Sequence, residues 1–160
     1  MRHIRVSIEV SAAADEVWSL LTEFDQWPKW DPTVVDVESE ATRVAPGVTG
    51  RVKTIAGPWI PFEITEVEQR QSWTWKVAGM HATGHAVAAV GYARTLVEFS
   101  VPIAFMPYAV VLRAGLRRLQ RLAEPDAAQP PRSPTSLNPR SPTATRSAPP
   151  PAWRRRRRVP

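Results

Sequence analysis

The sequence predicts an α+β domain in which a curved, seven-stranded antiparallel sheet wraps around one long C-terminal helix, with two short helices after the first strand. Three observations predict it. Alternating apolar and polar segments recur about every 10 to 14 residues from position 35 to 102, with no helical pattern between them to make parallel crossovers. Another alternating segment opens the chain and runs directly into an amphipathic stretch. Apolar residues three and four apart then close the foldable portion.

The elements follow in order. Ile4, Val6, Ile8 and Val10 alternate with His3, Arg5, Ser7 and Glu9, which is a half-buried strand. Ser11 is placed to cap a helix over 13–24, with Asp15 and Glu16 favouring its N-terminal end and Val17, Leu20, Leu21 and Phe24 forming the apolar face. Residues 25–32, Asp-Gln-Trp-Pro-Lys-Trp-Asp-Pro, are too short and too proline-broken for a regular helix and predict one irregular turn carrying Trp27 and Trp30. Val35 and Val37 alternate with Asp36, Glu38 and Glu40, a strand whose acidic side is solvated. Turns at Pro46-Gly47, Gly50 and Gly57-Pro58 bracket Val52 to Ile55. Phe62 and Ile64 alternate with Glu63 and Thr65, and Trp73, Trp75 and Val77 with Ser72, Thr74 and Lys76. Two more strands, near 80–90 and 92–102, divide near Gly91. From about Pro107, Phe105, Tyr108, Leu112, Leu116, Leu119 and Leu122 step at helical spacing opposite Arg113, Arg117, Arg118 and Arg121, and Pro125 ends the helix.

Composition divides the 160-residue chain after Glu124 into a folding domain, 1–124, and a disordered Pro/Arg-rich tail, 125–160. The first part holds 13 Lys and Arg against 14 Asp and Glu, all seven Gly and six of the seven Trp. The second holds eight Arg, one Asp and ten of the 17 Pro, so the +6 net charge belongs to the tail and does not describe a basic folded surface. There is no Cys, which excludes disulfides and thiolate metal sites. No apolar run approaches the ~20 residues of a membrane span, and a soluble cytoplasmic protein is the expectation.

A helix about 10 Å wide cannot fill the trough of a bent seven-stranded sheet. Space should remain between them, lined by apolar side chains.

Val6 to Leu21 resembles the opening of the START-like (SRPBCC) superfamily, and more narrowly its polyketide cyclase/dehydrase and lipid-transport group. Phe24-Asp25-Gln26-Trp27-Pro28-Lys29-Trp30-Asp31-Pro32 matches the next landmark of that group, an aromatic turn ending in Trp. Glu66-Val67-Glu68, Trp73-Thr74-Trp75 and the closing Leu116–Glu124 helix also fit. The resemblance covers 1–124 and implies a helix-grip fold with a hydrophobic cavity for lipids, polyketides or other small apolar molecules. It carries over no catalytic residue, because the superfamily shares none.

Candidate ligand contacts are Trp30, Trp59, Phe62, Trp73, Trp75, His85, Tyr108 and Leu112. Trp27 and Trp30 are placed either to form a lid at the cavity mouth or to pin the short helix to the sheet. Trp59, Phe62, Trp73 and Trp75 would make an aromatic wall if they shared a face, and Trp73 and Trp75 must share one. His81 and His85 lie about 13 Å apart along a strand, too far for one metal ion. His85 is a candidate polar handle inside the cavity, against an ordinary surface or hydrogen-bonded role. Arg94 and Glu98 share strand parity with Tyr92; facing inward they would orient an enolate or carboxylate, facing outward they are a cross-strand charge pattern. No phosphate loop, nucleophile elbow or carboxylate–histidine cluster is present, so nothing points to a metal or other cofactor.

Three functions remain. The first is binding or carriage of a hydrophobic small molecule. The second is cyclase/aromatase-type catalysis of aldol closure and dehydration, with His85, Arg94 and Glu98 the residues available. The third is an interaction led by the tail, where Arg154, Arg155, Arg156, Arg157 and Arg158 would contact nucleic acid or an anionic membrane.

Overall fold

A computed structural model describes residues 2–124. The Pro/Arg-rich segment, with its Arg154–Arg158 run, lies outside the described residues.

Seven strands form one antiparallel sheet: β1 (His3–Val10), β2 (Val34–Glu38), β3 (Thr49–Thr54), β4 (Trp59–Glu68), β5 (Ser72–Val77), β6 (Met80–Gly91) and β7 (Arg94–Pro102). Their order is β1-β7-β6-β5-β4-β3-β2. β2 to β7 are therefore a simple meander, and β1 closes onto the last strand, Val6 opposite Phe99. Three helices accompany the sheet: α1 (Ala14–Thr22), α2 (Trp27–Trp30) and α3 (Ala109–Ala123), with 3-10 turns at Phe24–Gln26 and Ile103–Tyr108. The antiparallel strands are those expected from the alternation pattern, and together with α3 they make the helix-grip arrangement that the resemblance implies.

The two-residue period sets the faces. Val6, Val10, Val52, Phe62, Ile64, Trp73, Trp75, Val87, Val97, Phe99 and Val101 are buried on the concave side, while Arg5, Glu9, Glu63 and Arg94 point away. α3 lies against β1, β7 and α2 with Leu112, Leu116 and Leu119 inward. A Cβ added at its Gly115 would meet the Phe99 ring, Pro32 and the Trp30 carbonyl at 3.6 Å, an ordinary van der Waals contact. Gly50 is more tightly constrained: a Cβ there would meet the Phe62 ring at 2.7 Å. Its bare backbone is what lets that ring lie inside the sheet.

Local details depart from the sequence reading. Ser11 does not cap α1. The N-cap is Ala13, whose N–H is taken by the Glu16 carboxylate, and the Ser11 N–H instead donates to Glu124 beyond α3. α1 stops at Thr22, two residues early, where Thr22 Oγ1 donates to the Trp18 carbonyl. In β2 it is Val34 that is buried and Val35 that is exposed, because a bulge between Val34 and Asp36 resets the alternation. Phe105 falls in the 3-10 turn before α3 and is exposed.

Candidate functional site

The trough between sheet and helices divides into two halves. One half is filled. Trp27 projects from α2 between Phe24, Phe62, Trp73 and Trp75, stacked on Trp73 with centroids 5.3 Å apart and planes 1° apart. The far side of Trp73 stacks on His85 at 4.0 Å, and His85 meets Phe99 edge-on at 4.8 Å. Trp30 closes the row against His85 and Phe99. The indole N–H of Trp27 donates to the Leu21 carbonyl and that of Trp30 to the Leu20 carbonyl, so both rings staple α2 to the end of α1. With 1% and 3% of their surface exposed, they are pins and not a lid.

The other half is open. A pocket of about 360 Å³ lies at the end of the sheet where the β3–β4 and β5–β6 turns and the Ile103–Tyr108 segment meet. Its volume is at the lower end of the ~300–1,000 Å³ typical of small-molecule sites. Apolar side chains make most of the wall: Val34, Val52, Ile60, Val77 and Val101, with the Trp75 ring at the boundary with the packed half and Met80 and Phe105 at the rim. The rim pair is exposed to solvent.

Polar groups gather at one place in this wall. Asp31, at the end of α2, accepts from the Thr33 N–H at 2.8 Å and the Thr33 hydroxyl at 2.7 Å, both on Oδ1. The Thr33 oxygen lies 3.1 Å from the Tyr108 hydroxyl. Burial pushes the Asp31 carboxyl up, against the opposing pull of the Thr33 bonds and the Arg118 charge. Burial also raises Tyr108, and the Asp31 charge adds to that rise. Asp31, Thr83 and Tyr108 border both the pocket and a cleft of about 10 Å³ that leads toward His85, too narrow for more than one water.

Behind Thr83 the Trp75 indole donates to Thr83 Oγ1 at 3.0 Å, and that oxygen lies 3.3 Å from His85 Nε2. His85 is buried among rings, and desolvation lowers its pKa to about 3, so the imidazole is neutral. Its Nδ1 and the Trp73 Nε1 have no hydrogen-bond partner among the described residues.

The predicted contacts are thus distributed unevenly. Trp75 and Tyr108 line the pocket; Trp30, His85 and Leu112 line only the narrow cleft; Phe62 and Trp73 are sealed in the aromatic core. Trp59 lies on the opposite face of β4, with Arg51 4.8 Å above its ring and Lys53 nearby. The physical reason is parity: 59 and 62 are three apart, and an odd separation in a regular strand puts two side chains on opposite faces. The aromatic wall therefore has three members of the four, joined by Trp27 from the helix side.

Arg94 and Glu98 also face outward and do not pair with each other; Arg94 pairs with Glu9 and Glu98 with Arg5 at 3.1 Å. They are a surface charge pattern, remote from the pocket lining, and Tyr92 beside them is fully exposed. Among the described residues no group of three His, Cys, Asp or Glu is arranged to hold a metal ion. None of the described helices is long and apolar enough to cross a membrane. Sequence reasoning missed Asp31, Thr33 and Thr83. The signal for the first two is the Asp-Pro-Thr spacing, which suits an aspartate that accepts from the backbone two residues on.

Comparison with known proteins agrees with this geometry. The family described as polyketide cyclase / dehydrase and lipid transport matches residues 1–124. Solved structures share the fold at low identity. The protein XoxI from Bacillus cereus is 19% identical with a TM-score of 0.63, covering 81% of this chain and 99% of its own. A START superfamily protein from Mycobacterium smegmatis is 15% identical with a TM-score of 0.63, covering 77% and 97%. The di-domain ARO/CYC BexL from the BE-7585A biosynthetic pathway is 20% identical with a TM-score of 0.63, covering 81% of this chain and 48% of its own. No curated protein matches the sequence.

Proposed function

The chain belongs to the polyketide cyclase / dehydrase and lipid transport family, and from that premise we propose that it binds or carries a hydrophobic small molecule in the pocket between β2–β7 and the Ile103–Tyr108 turn. The observation that carries this reading is the pocket itself: about 360 Å³ of space behind a mostly apolar wall, left open by a fold that packs the rest of its trough solid. Burial of an apolar molecule there is favourable at roughly 25 cal/mol for each Å² withdrawn from water.

Native mass spectrometry of freshly purified protein tests the proposal. A co-purified apolar molecule, or saturable binding of one added in calorimetry, is the expected result. A clean apo mass together with no heat from a panel of lipids and polyketide-like aromatics would overturn it. The proposal places the ligand-binding unit in residues 1–124, so removal of 125–160 should leave the thermal midpoint within about a degree and the affinity unchanged.

A second reading draws on the Asp31–Thr33–Tyr108 group. Three convergent polar side chains at an apolar pocket are the kind of set that a cyclase/dehydrase needs to move protons during aldol closure and water loss. His85, neutral and sealed behind Thr83, is poorly placed to join them. Turnover of a linear polyketone analogue, lost in Asp31→Asn, would favour catalysis; tight binding without turnover would favour carriage.

A further inference from the structure

The pocket's polar side chains can be sorted by where each proton goes. Thr33 has one hydroxyl proton, and Asp31 Oδ1 takes it at 2.7 Å. The contact between Thr33 and Tyr108 must therefore run the other way: the Tyr108 O–H donates to the Thr33 oxygen. Thr54 gives its proton to the Pro58 carbonyl at 3.4 Å. Thr83 Oγ1 accepts from the Trp75 indole, and with the His85 hydrogen on Nδ1 its own proton goes to His85 Nε2 behind it. In its ionised form, which burial disfavours and the Thr33 and Val34 N–H groups and the Arg118 charge favour, the Asp31 carboxyl has no proton to give, and its Oδ2 has no side-chain partner among the described residues. What remains for an occupant is a set of acceptors, namely Asp31 Oδ2 and the lone pairs of Tyr108 and Thr54. The lining side chain with a proton free to offer is His81, which is exposed at the mouth. Arg118 is close enough to act on Asp31 but does not line the pocket.

From this accounting we infer that the pocket selects an apolar molecule carrying a hydrogen-bond donor, a hydroxyl above all, which lies against Asp31 and Tyr108, and that it discriminates against carboxylates. This rests on the hydrophobic-pocket reading above and narrows it. A carboxylate would set its lone pairs against those of Tyr108 and its charge against that of Asp31, against a mostly apolar wall. A hydroxyl in the same place gives the ionised carboxyl of Asp31 a charge-assisted bond. At ~30 Å³ for each water-sized atom, the volume suits a body of about a dozen heavy atoms, such as two fused rings or a short chain.

Calorimetric titration of the full chain with 2-naphthol, 2-methoxynaphthalene and 2-naphthoate, at a mildly alkaline pH that favours the ionised Asp31 carboxyl, tests the inference, because the three share one apolar body and differ in donor and charge. The expected order is 2-naphthol first, 2-methoxynaphthalene about ten- to a hundredfold weaker, as loss of a hydrogen bond to a charged group implies, and 2-naphthoate weakest. Asp31→Asn brings an amide donor to the site and should weaken 2-naphthol about tenfold while strengthening 2-naphthoate. Tyr108→Phe, which leaves the charge in place, should weaken 2-naphthol a few-fold and leave 2-methoxynaphthalene unmoved. Equal affinity for the naphthol and its methyl ether, or a preference for the naphthoate, would overturn the donor rule while leaving the hydrophobic pocket intact. Failure of all three to bind would overturn the pocket reading and the inference together.

Discussion

The packed and open halves of the trough are made from the same strands and differ in what stands opposite them. β4 and β5 send Phe62, Ile64 and Trp73 toward α2, where Trp27 fills the space between them. Toward the other end the same two strands present Ile60 and Val77, and the facing Ile103–Tyr108 turn buries none of its own residues. A hollow therefore arises where short aliphatic side chains face a turn, and a core arises where large rings face a helix. The lesson concerns aromatic residues in a fold of this kind: an abundance of Trp is evidence of filling before it is evidence of binding. Only one of the six tryptophans among the described residues, Trp75, borders the pocket.

The sharpest way to break the contrast is to empty the filled half. Trp27→Ala should cost about 3–5 kcal/mol in urea unfolding, because it removes a fully buried indole and leaves its cavity among rings that cannot collapse around it. A loss below about 1 kcal/mol would mean that this half is as loose as the other.

Acid probes the same half through His85. Above pH 6.5 neither the folded nor the unfolded chain protonates it, and it contributes nothing to the pH dependence. Between 6.5 and about 3 the unfolded chain takes up a proton that the folded one refuses, so stability falls as the pH falls, by about 1.4 kcal/mol per unit. The raised Asp31 acts with the opposite sign, its folded form holding a proton more readily as the pH drops, and it offsets part of the loss at the acid end. His85→Phe should flatten the slope below pH 6.5 in chemical denaturation. An unchanged slope would show that the imidazole reaches water.

The smallest effect on stability belongs to the open half. Ile60→Phe adds a ring where space already exists and should change stability by less than about 1 kcal/mol. It should nevertheless weaken binding of an apolar ligand at least tenfold by calorimetry. A large loss of stability with binding intact would reverse the assignment of the two halves.

The sequence disclosed the strands because each alternates apolar and polar residues across a face half in water, and that contrast is strong in Ile4–Val10, Phe62–Thr65 and Trp73–Val77. It disclosed α3 through its leucine spacing. It did not disclose the β2 bulge, since Val35 and Val37 alternate regularly with Asp36 and Glu38 and only the pairing with β3 shows the irregularity between Val34 and Asp36. The opposite faces of Trp59 and Phe62 were countable from their spacing alone. Asp31 and Thr33 were harder to see: in an Asp-Pro-Thr turn the natural reading is local hydrogen bonding, which occurs, and nothing local says that Tyr108, 75 residues on, comes to meet them. His85 sits in a run of small apolar residues that gives no inward or outward contrast, so its burial is a property of the sheet and not of its neighbours in sequence.

The place of Trp75 gives the molecule an optical reporter of its own. Its ring shares one edge with the pocket and another with the Trp27–Trp73 pair, 5.1 and 5.8 Å away by ring centroids. At such separations excitation absorbed by any of the three spreads among them before emission. An occupant touching Trp75 alone would then shift the glow of the whole trio, and arrival and departure of cargo could be timed with no dye attached.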